Sequence, residues 1–284
     1  MGTLYIVATT IGNLGDITAR AIETMQNVDL IAVEDTRVTI KLLNYFNIKT
    51  KMISYHNFNE EKRINEILTH LENGKNIALV TDAGTPCISD PGFLLVKTAK
   101  EKGINVIGIP GPSAIINALS ISGLPSSNFT FYGFLAKENS KFKKQISEIK
   151  ESVVSTFIFY ESPKRIVKLI NKLKEEFPSS FVSIASDMTK KFERNFYGLI
   201  EDVYETIKDD EKIEKGEYVV IIYKEKNEEV KEESPSLESL LIDAMIKENI
   251  SLKDAIEFLS KQNKNLSKNN LYDASLNLKN LFKN

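Results

Sequence analysis

Four apolar runs punctuate the first 122 residues: LYIVAT from Leu4, DLIAVE over 29–34, NIALVT from Asn76 and INVIGI from Ile104. They are rich in Ile, Val, Leu and Ala and lack strict polar alternation, the pattern of strands covered on both faces of a largely parallel sheet. Amphipathic segments over 16–26, 37–46, 60–73 and 93–102 separate them. In 60–73, Ile64, Ile67, Leu68 and Leu71 fall at i, i+3, i+4 and i+7, one stripe of a helix. Gly74 and Gly103 follow the last turns of their helices, where a left-handed residue is favoured. Strand, loop and helix in repetition predict βα units.

From Phe129 the texture changes. NFTFYGFL predicts an aromatic strand, and KENSKFKKQ a polar connector or the start of a helix. STFIFYES predicts a strand, 163–176 a helix, SFVSIASDM a strand, and FERNFYGLIEDV a strand entering a helix. GEYVVIIYK, from Gly216, closes this half as another strand. The alternation here is stronger, which favours a mixed sheet. EKNEEVKEESPS (225–236) is a charged linker. Three short helices follow, their starts marked by Ser234-Pro235, by Ser251 with Asp254 three residues on, and by Ser267. The expected division is an N-terminal α/β domain over 1–122, a second α/β domain over 123–226, and linker plus small helical tail over 227–284.

Composition narrows the function. Of 284 residues, 42% are hydrophobic and 27% charged, enough for a buried core. A net charge of −2 gives no global pull towards nucleic acid, though a local basic patch remains open. Cys87 is the single cysteine, which removes a disulfide frame and a cysteine metal cluster. No signal-peptide pattern is expected at the start, and no apolar run approaches the roughly 20 residues that span a bilayer. A cytoplasmic protein is the economical expectation.

Ligands of a parallel sheet collect where loops leave the carboxyl ends of the strands. Four such loops are unusual: TTIGNLGD (9–16), EDTR (34–37), VTDAGTPCISDPG (80–92) and PGPSA (110–114). GNLG is not a dinucleotide fingerprint, and G-x-x-x-x-G-K-[ST], H-E-x-x-H and G-x-S-x-G are all absent. His56 and His70 stand 14 residues apart, so a histidine metal site is not expected. Nothing near Cys87 in sequence argues for a reactive thiolate. Backbone amides, small residues and carboxylates fit a polar, nucleoside-like cofactor and no metal.

Seven motifs then stand in order: ATTIGNLGDIT, AVEDTR, SYHNFNE, VTDAGTPCISDPG, IPGPSA, FYESPKR and MTKKFE. Together they resemble the ribosomal RNA small subunit methyltransferase I family, in the tetrapyrrole-methylase-like superfamily, from Leu4 to about Tyr223. The resemblance implies an α/β, two-domain tetrapyrrole-methylase-like (class III) methyltransferase fold. The N-terminal sheet would be mainly parallel and the second mixed, with a small helical C-terminal tail. It also implies S-adenosyl-L-methionine between the domains, methylation of the 2′-hydroxyl of a cytidine in the decoding region of small-subunit rRNA, and a homodimer. On it, Asp82, Ala83, Gly84, Thr85 and Ile88 match the cofactor loop, and Ser113 and Ala114 a second contact region. Tyr160 and Ala185 match positions that line the adenosine side, with Gly216 nearby.

The candidates for catalysis are Glu34, Asp35 and Arg37 of EDTR, and Lys190, Lys191 and Glu193 of TKKFE. Asp35 would act as base or position the substrate and Arg37 would bind phosphate; the alternative is a helix cap with an exposed pair. Lys190 and Lys191 would ease a 2′-oxyanion or neutralise phosphate. Lys141, Lys143 and Lys144 around Phe142, with Lys164 and Arg165, form a modest basic segment for RNA. His56 would meet RNA, the cleft wall or a helix cap. Asp90 and Pro91 are expected to open the next helix rather than touch the ligand. The chain departs from the family's pattern at Thr10 and Ala136, where proline is usual, at Cys87, where glycine is usual, and at Asp187, where glutamate is usual. Two alternatives stay open: a tetrapyrrole C-methyltransferase of the same superfamily, and a non-catalytic cofactor-binding assembly factor.

Overall fold

The computed structural model describes residues 1–225, 236–262 and 266–281. Most of the expected charged linker, and the Ser234-Pro235 helix start, lie outside the described residues. The chain divides into two compact units, Met1–Glu225 and Lys226–Asn284.

The first unit holds two five-stranded sheets. One comprises β1 (Thr3–Val7), β2 (Leu30–Val33), β3 (Met52–Ser54), β4 (Ile77–Val80) and β5 (Asn105–Ile109) in the order β3-β2-β4-β1-β5. All its neighbours are parallel. Its apolar runs are continuous because both faces are covered. Leu79 and Ile77 pack with α3 (Glu60–Glu72) and α4 (Phe93–Glu101) on one side. Ala78 and Val80 pack with α1 (Ala19–Asn27) and α2 (Thr36–Tyr45) on the other. The stripe of α3 lands as its spacing predicts, with Ile67 and Leu71 fully buried. Burial of each such side chain contributes about 1.5–3 kcal/mol.

Three boundaries differ from the sequence reading. Strand β3 was not expected; three residues at the sheet edge make no apolar run. The helix expected from residue 16 starts at Ala19, because Thr18 caps it by accepting from Ala21 N at 3.1 Å. Residues 14–16 form a separate 3-10 turn. The segment KENSKFKKQ opens a full helix, α6 (Asn139–Glu151), whose buried Phe142, Ile146 and Ile149 hide among lysines.

The other sheet orders β6 (Phe129–Phe134), β7 (Thr156–Glu161), β10 (Tyr218–Tyr223), β8 (Phe181–Ser186) and β9 (Arg194–Leu199). It is mixed: β6 and β7 are parallel and the rest antiparallel. One face packs on α6, α7 (Ile166–Glu176) and α8 (Ile200–Ile207). The opposite face, through Ile158, Ala185, Val219 and Ile221, packs on α5 (Ala114–Ile121), which issues from the first sheet.

In the second unit, α9 (Leu237–Glu248), α10 (Leu252–Gln262) and α11 (Lys268–Leu281) share a core of Leu241, Ala255, Leu271 and Ala274. Ser236 caps α9, and Ser251 and Ser267 accept from Asp254 N and Asn270 N.

Candidate functional site

The loops after β4 and β5 leave the carboxyl edge of the first sheet and face the second sheet across a cavity of about 380 Å³. Their courses are fixed by hydrogen bonds between loops, from one backbone N–H and two threonine hydroxyls. Thr9 N donates to Gly84 O at 2.8 Å, Thr9 Oγ1 to Thr81 O at 3.1 Å, and Thr85 Oγ1 to Pro112 O at 3.2 Å. Gly84 has φ 82°, a left-handed backbone that asks for glycine, while a Cβ there would meet Ile11 only at an ordinary contact distance of 3.5 Å.

Of the residues expected at a cofactor, Ala83, Gly84, Thr85, Ile88, Ser113, Ala114 and Tyr160 all line this cavity. Ser113 stands at the N-cap of α5 without a side-chain cap bond, so the helix's first amides have no partner from it. Three expected residues do not line the cavity. Asp82 turns away and accepts from Asp35 N at 3.2 Å. Ala185 is a core residue under α5. Gly216 makes a close approach instead: a Cβ there would lie 2.1 Å from Asp187 Oδ2.

None of the six candidates for catalysis lines the cavity. Asp35 caps α2 and is held by Arg37 through Nε at 3.0 Å and Nη2 at 2.6 Å. The Arg37 guanidinium lowers the Asp35 carboxyl to about 2, far below the useful range for a base. Glu34 accepts from Thr81 Oγ1 at 2.8 Å. Lys190 bridges Asp187 (3.0 Å) and Glu217 (2.9 Å). Glu193 caps its turn by accepting from Thr189 N at 2.7 Å. Lys191 is exposed beside the Phe192 ring. His56 also lies off the cavity, its backbone N–H donating to Asn59 Oδ1 at 2.9 Å.

The carboxylates that do reach the cavity are Asp90, Glu161 and Glu217. Asp90 corrects the sequence reading: helix α4 starts at Phe93 with Gly92 as N-cap, and Asp90 faces the cavity instead. Glu161 accepts from Ser162 N at 2.7 Å and pairs with Arg165, and Glu217 pairs with Lys190. Among the described residues no cation pairs with Asp90. Burial, reinforced by the charges of Glu34 and Asp82, raises its carboxyl to about 6. Tyr160 opposite is pushed up to about 12, by burial first and then by Asp90. The signal for Asp90 was present in sequence as a carboxylate inside a ligand loop; the following Pro-Gly disguised it as a helix start.

Cys87 and Ser89 take φ 70° and 66°, so both carry strain in a tight double turn. Burial lifts the Cys87 thiol to about 11, which removes thiolate chemistry. The basic residues sort differently from expectation. Lys141 pairs with Glu138, and Lys143 and Lys144 are exposed on α6. Arg165, Lys168 and Lys172 line one hollow of about 230 Å³ together with Lys137. Their i, i+3, i+7 spacing was the overlooked signal.

Comparison with known proteins agrees with this architecture. Residues 3–204 match the tetrapyrrole (corrin/porphyrin) methylases. The chain is 41% identical over 276 residues to ribosomal RNA small subunit methyltransferase I of Escherichia coli O157:H7, covering 97% of this chain and 95% of that one. It is 38% identical over 278 residues to the protein of the same name from Bacillus subtilis strain 168, covering 96% and 94%. Its fold is similar to that of uroporphyrin-III C-methyl transferase from Thermus thermophilus complexed with S-adenyl homocysteine, with a TM-score of 0.53, 16% identity, and coverage of 78% and 97%. The chain therefore belongs to the ribosomal RNA small subunit methyltransferase I family, within the tetrapyrrole methylases.

Proposed function

We propose that this protein transfers a methyl group from S-adenosyl-L-methionine to small-subunit rRNA, at the ribose 2′-hydroxyl of a cytidine in the decoding region. The observation that carries the cofactor half is the cavity between the two sheets, where seven motif residues converge. Its chemistry suits a zwitterionic sulfonium nucleoside. The amide-bearing N-terminus of α5 at Ser113 and Ala114 suits a carboxylate. The Tyr160 and Phe134 rings suit a purine face. When bound, the cofactor supplies an electrophilic methyl on a cationic sulfur and leaves as a neutral thioether.

The chain's own residues do the rest. A ribose hydroxyl is a weak nucleophile until its proton is taken, and Asp90 is the cavity carboxylate free of a cation. With its carboxyl near 6 it is ionised at neutral pH yet basic enough to accept that proton. The interlocked loops hold the reactants in place, and orientation of that kind accounts for about 7–11 kcal/mol in well-placed reactions. Arg165, Lys168 and Lys172 would neutralise RNA phosphates beside the cavity, which shares Glu161 with their hollow. No described helix is long and apolar enough to cross a membrane, and a cytoplasmic homodimer is part of the same reading. Exposed Phe58, Phe93 and Leu94 support a self-association surface, which light scattering would test.

The deciding experiment offers labelled cofactor with either unmodified small ribosomal subunits or a corrinoid precursor. Label at a single cytidine ribose supports the proposal. Label in the macrocycle and none in rRNA overturns it in favour of a tetrapyrrole C-methyltransferase, and cofactor binding without label in either makes the protein an assembly factor.

A further inference from the structure

A hollow of about 420 Å³ lies between the loop after β1 and helix α2, walled by Thr10, Val38, Thr39, Leu42, Tyr45 and Asp82. Its volume is that of a small-ligand site. It sits on the other side of the ligand loop from the cofactor cavity: Thr81 and Asp82 face the hollow, and Ala83, Gly84 and Thr85 face the cavity.

Thr39 marks the hollow as more than a groove. A threonine inside a helix ordinarily bonds its hydroxyl back to the carbonyl one turn earlier. Thr24, Thr69, Thr98 and Thr206 do so at 2.7, 2.9, 2.8 and 2.8 Å. Thr39 does not: it is 3% exposed, and its Oγ1 has no hydrogen-bond partner. A buried hydroxyl left unpaired is a cost that a ligand's polar edge would remove. Beside it, Tyr45 is 64% exposed and Val38 41% exposed, so an aromatic ring and an aliphatic face meet solvent at the mouth. Lys41 adds a cation there. Ring, aliphatic wall, threonine hydroxyls, the Asp82 carboxylate and a rim cation together match one ligand chemistry, a nucleotide with its base unstacked and its phosphate outward.

We infer that this hollow receives the extruded pyrimidine nucleoside of the RNA substrate, with Thr39 Oγ1 bonding the base edge and Tyr45 stacking on it. The inference rests on the rRNA reading and says where the target sits. A 2′-hydroxyl is displayed in the shallow minor groove of RNA, so extrusion would serve to fix the base in this hollow while the ribose reaches past the ligand loop towards the donor cavity.

Saturation-transfer NMR on the full chain, with cytidine 5′-monophosphate as probe, reads occupancy directly. Val38→Trp, on an exposed position of α2, fills the hollow, and Thr39→Val removes only the hydroxyl. Wild type is expected to transfer saturation to the base protons and Val38→Trp to lose it. Val38→Trp should also raise KM for small subunits at least tenfold, with cofactor affinity by calorimetry unchanged, and Thr39→Val should fall between. Equal probe signals in wild type and Val38→Trp, or an unaltered KM in Val38→Trp, overturn the inference while rRNA methylation stands. A wild-type protein that leaves rRNA unlabelled overturns the functional reading first.

Discussion

Arg37 holds Asp35 with three N–H groups at once: its own backbone N–H at 2.8 Å, Nε at 3.0 Å and Nη2 at 2.6 Å. A carboxylate so engaged is a helix cap and an anchor, with no lone pair aimed at the cavity. Asp35→Asn keeps the cap oxygen, so methyl transfer should stay within a few-fold of wild type and the melting temperature within a few degrees. Arg37→Ala should return the Asp35 carboxyl from about 2 towards the ordinary range near 4, read by carbon-detected NMR titration. Because the folded value is the depressed one, the stabilisation from this pair is present above pH 4. It is lost as pH falls towards 2, and Arg37→Ala should remove that acid-side dependence.

Asp90→Asn should lower the methyl-transfer rate by about 10²–10⁴, the usual worth of a general base, with cofactor binding by calorimetry retained. The wild-type rate should fall on the acid side with an apparent pKa near 6, and Asp90→Asn should lose that limb. The stability sign runs opposite to Asp35. The folded carboxyl is raised, so its ionisation disfavours the fold, and stability from this group declines as pH rises from about 4 through 6. Asp90→Asn should therefore melt higher than wild type at pH 8. Loss of cofactor binding in this variant would make Asp90 a binding group instead.

Gly84→Arg puts a long side chain at φ 82°, at the cavity wall. Calorimetry with the cofactor should show no binding, while circular dichroism keeps the native helix signal. Retained affinity would dismiss the cavity as the donor site.

How far these sites were legible depended on which level of structure set them. The buried strands and the α3 stripe could be read because local periodicity and final burial coincide at Ile64, Ile67, Leu68 and Leu71. The loops that line the cavity could be read because glycine and proline declare backbone geometry one residue at a time. What stayed hidden depends on pairing across distance. The EDTR carboxylates looked catalytic until Arg37 and Thr81 were seen to occupy them. Lys190 looked free until Asp187 and Glu217 took its charge. Helix α6 was masked because its three buried side chains are spaced among exposed lysines.

Cys87, at φ 70°, stands where glycine is the comfortable residue. Its sulfur would lie 2.7 Å from a Cβ at Gly92, so it also fills space. Cys87→Gly should change stability by less than about 1 kcal/mol, the relief of strain offsetting the poorer packing. Cys87→Val, whose branched Cβ resists this backbone, should lose about 1–3 kcal/mol in urea melts. Alkylation by iodoacetamide at pH 8 should be slow, since burial holds the thiol near 11.

Lys168→Glu with Lys172→Glu should weaken RNA binding and flatten its salt dependence, the slope falling by about 0.7 for each phosphate that is no longer neutralised. Lys143→Glu with Lys144→Glu, on the outer face of α6, should leave the slope nearly unchanged. Anisotropy with a labelled decoding-region RNA across a salt series reads both.

Helix α5, with Ser113 at its N-cap, begins at the cavity between the sheets and buries Ile115, Ala118 and Leu119 against the second sheet. It works as a rivet between the two halves of the binding surface. Substitutions in its hidden face would therefore masquerade as ligand-binding defects, although none of those three side chains lines the cavity. A genetic screen for absent methylation should collect alleles there, and only a comparison of cofactor affinity with melting behaviour would tell a broken rivet from a damaged binding site.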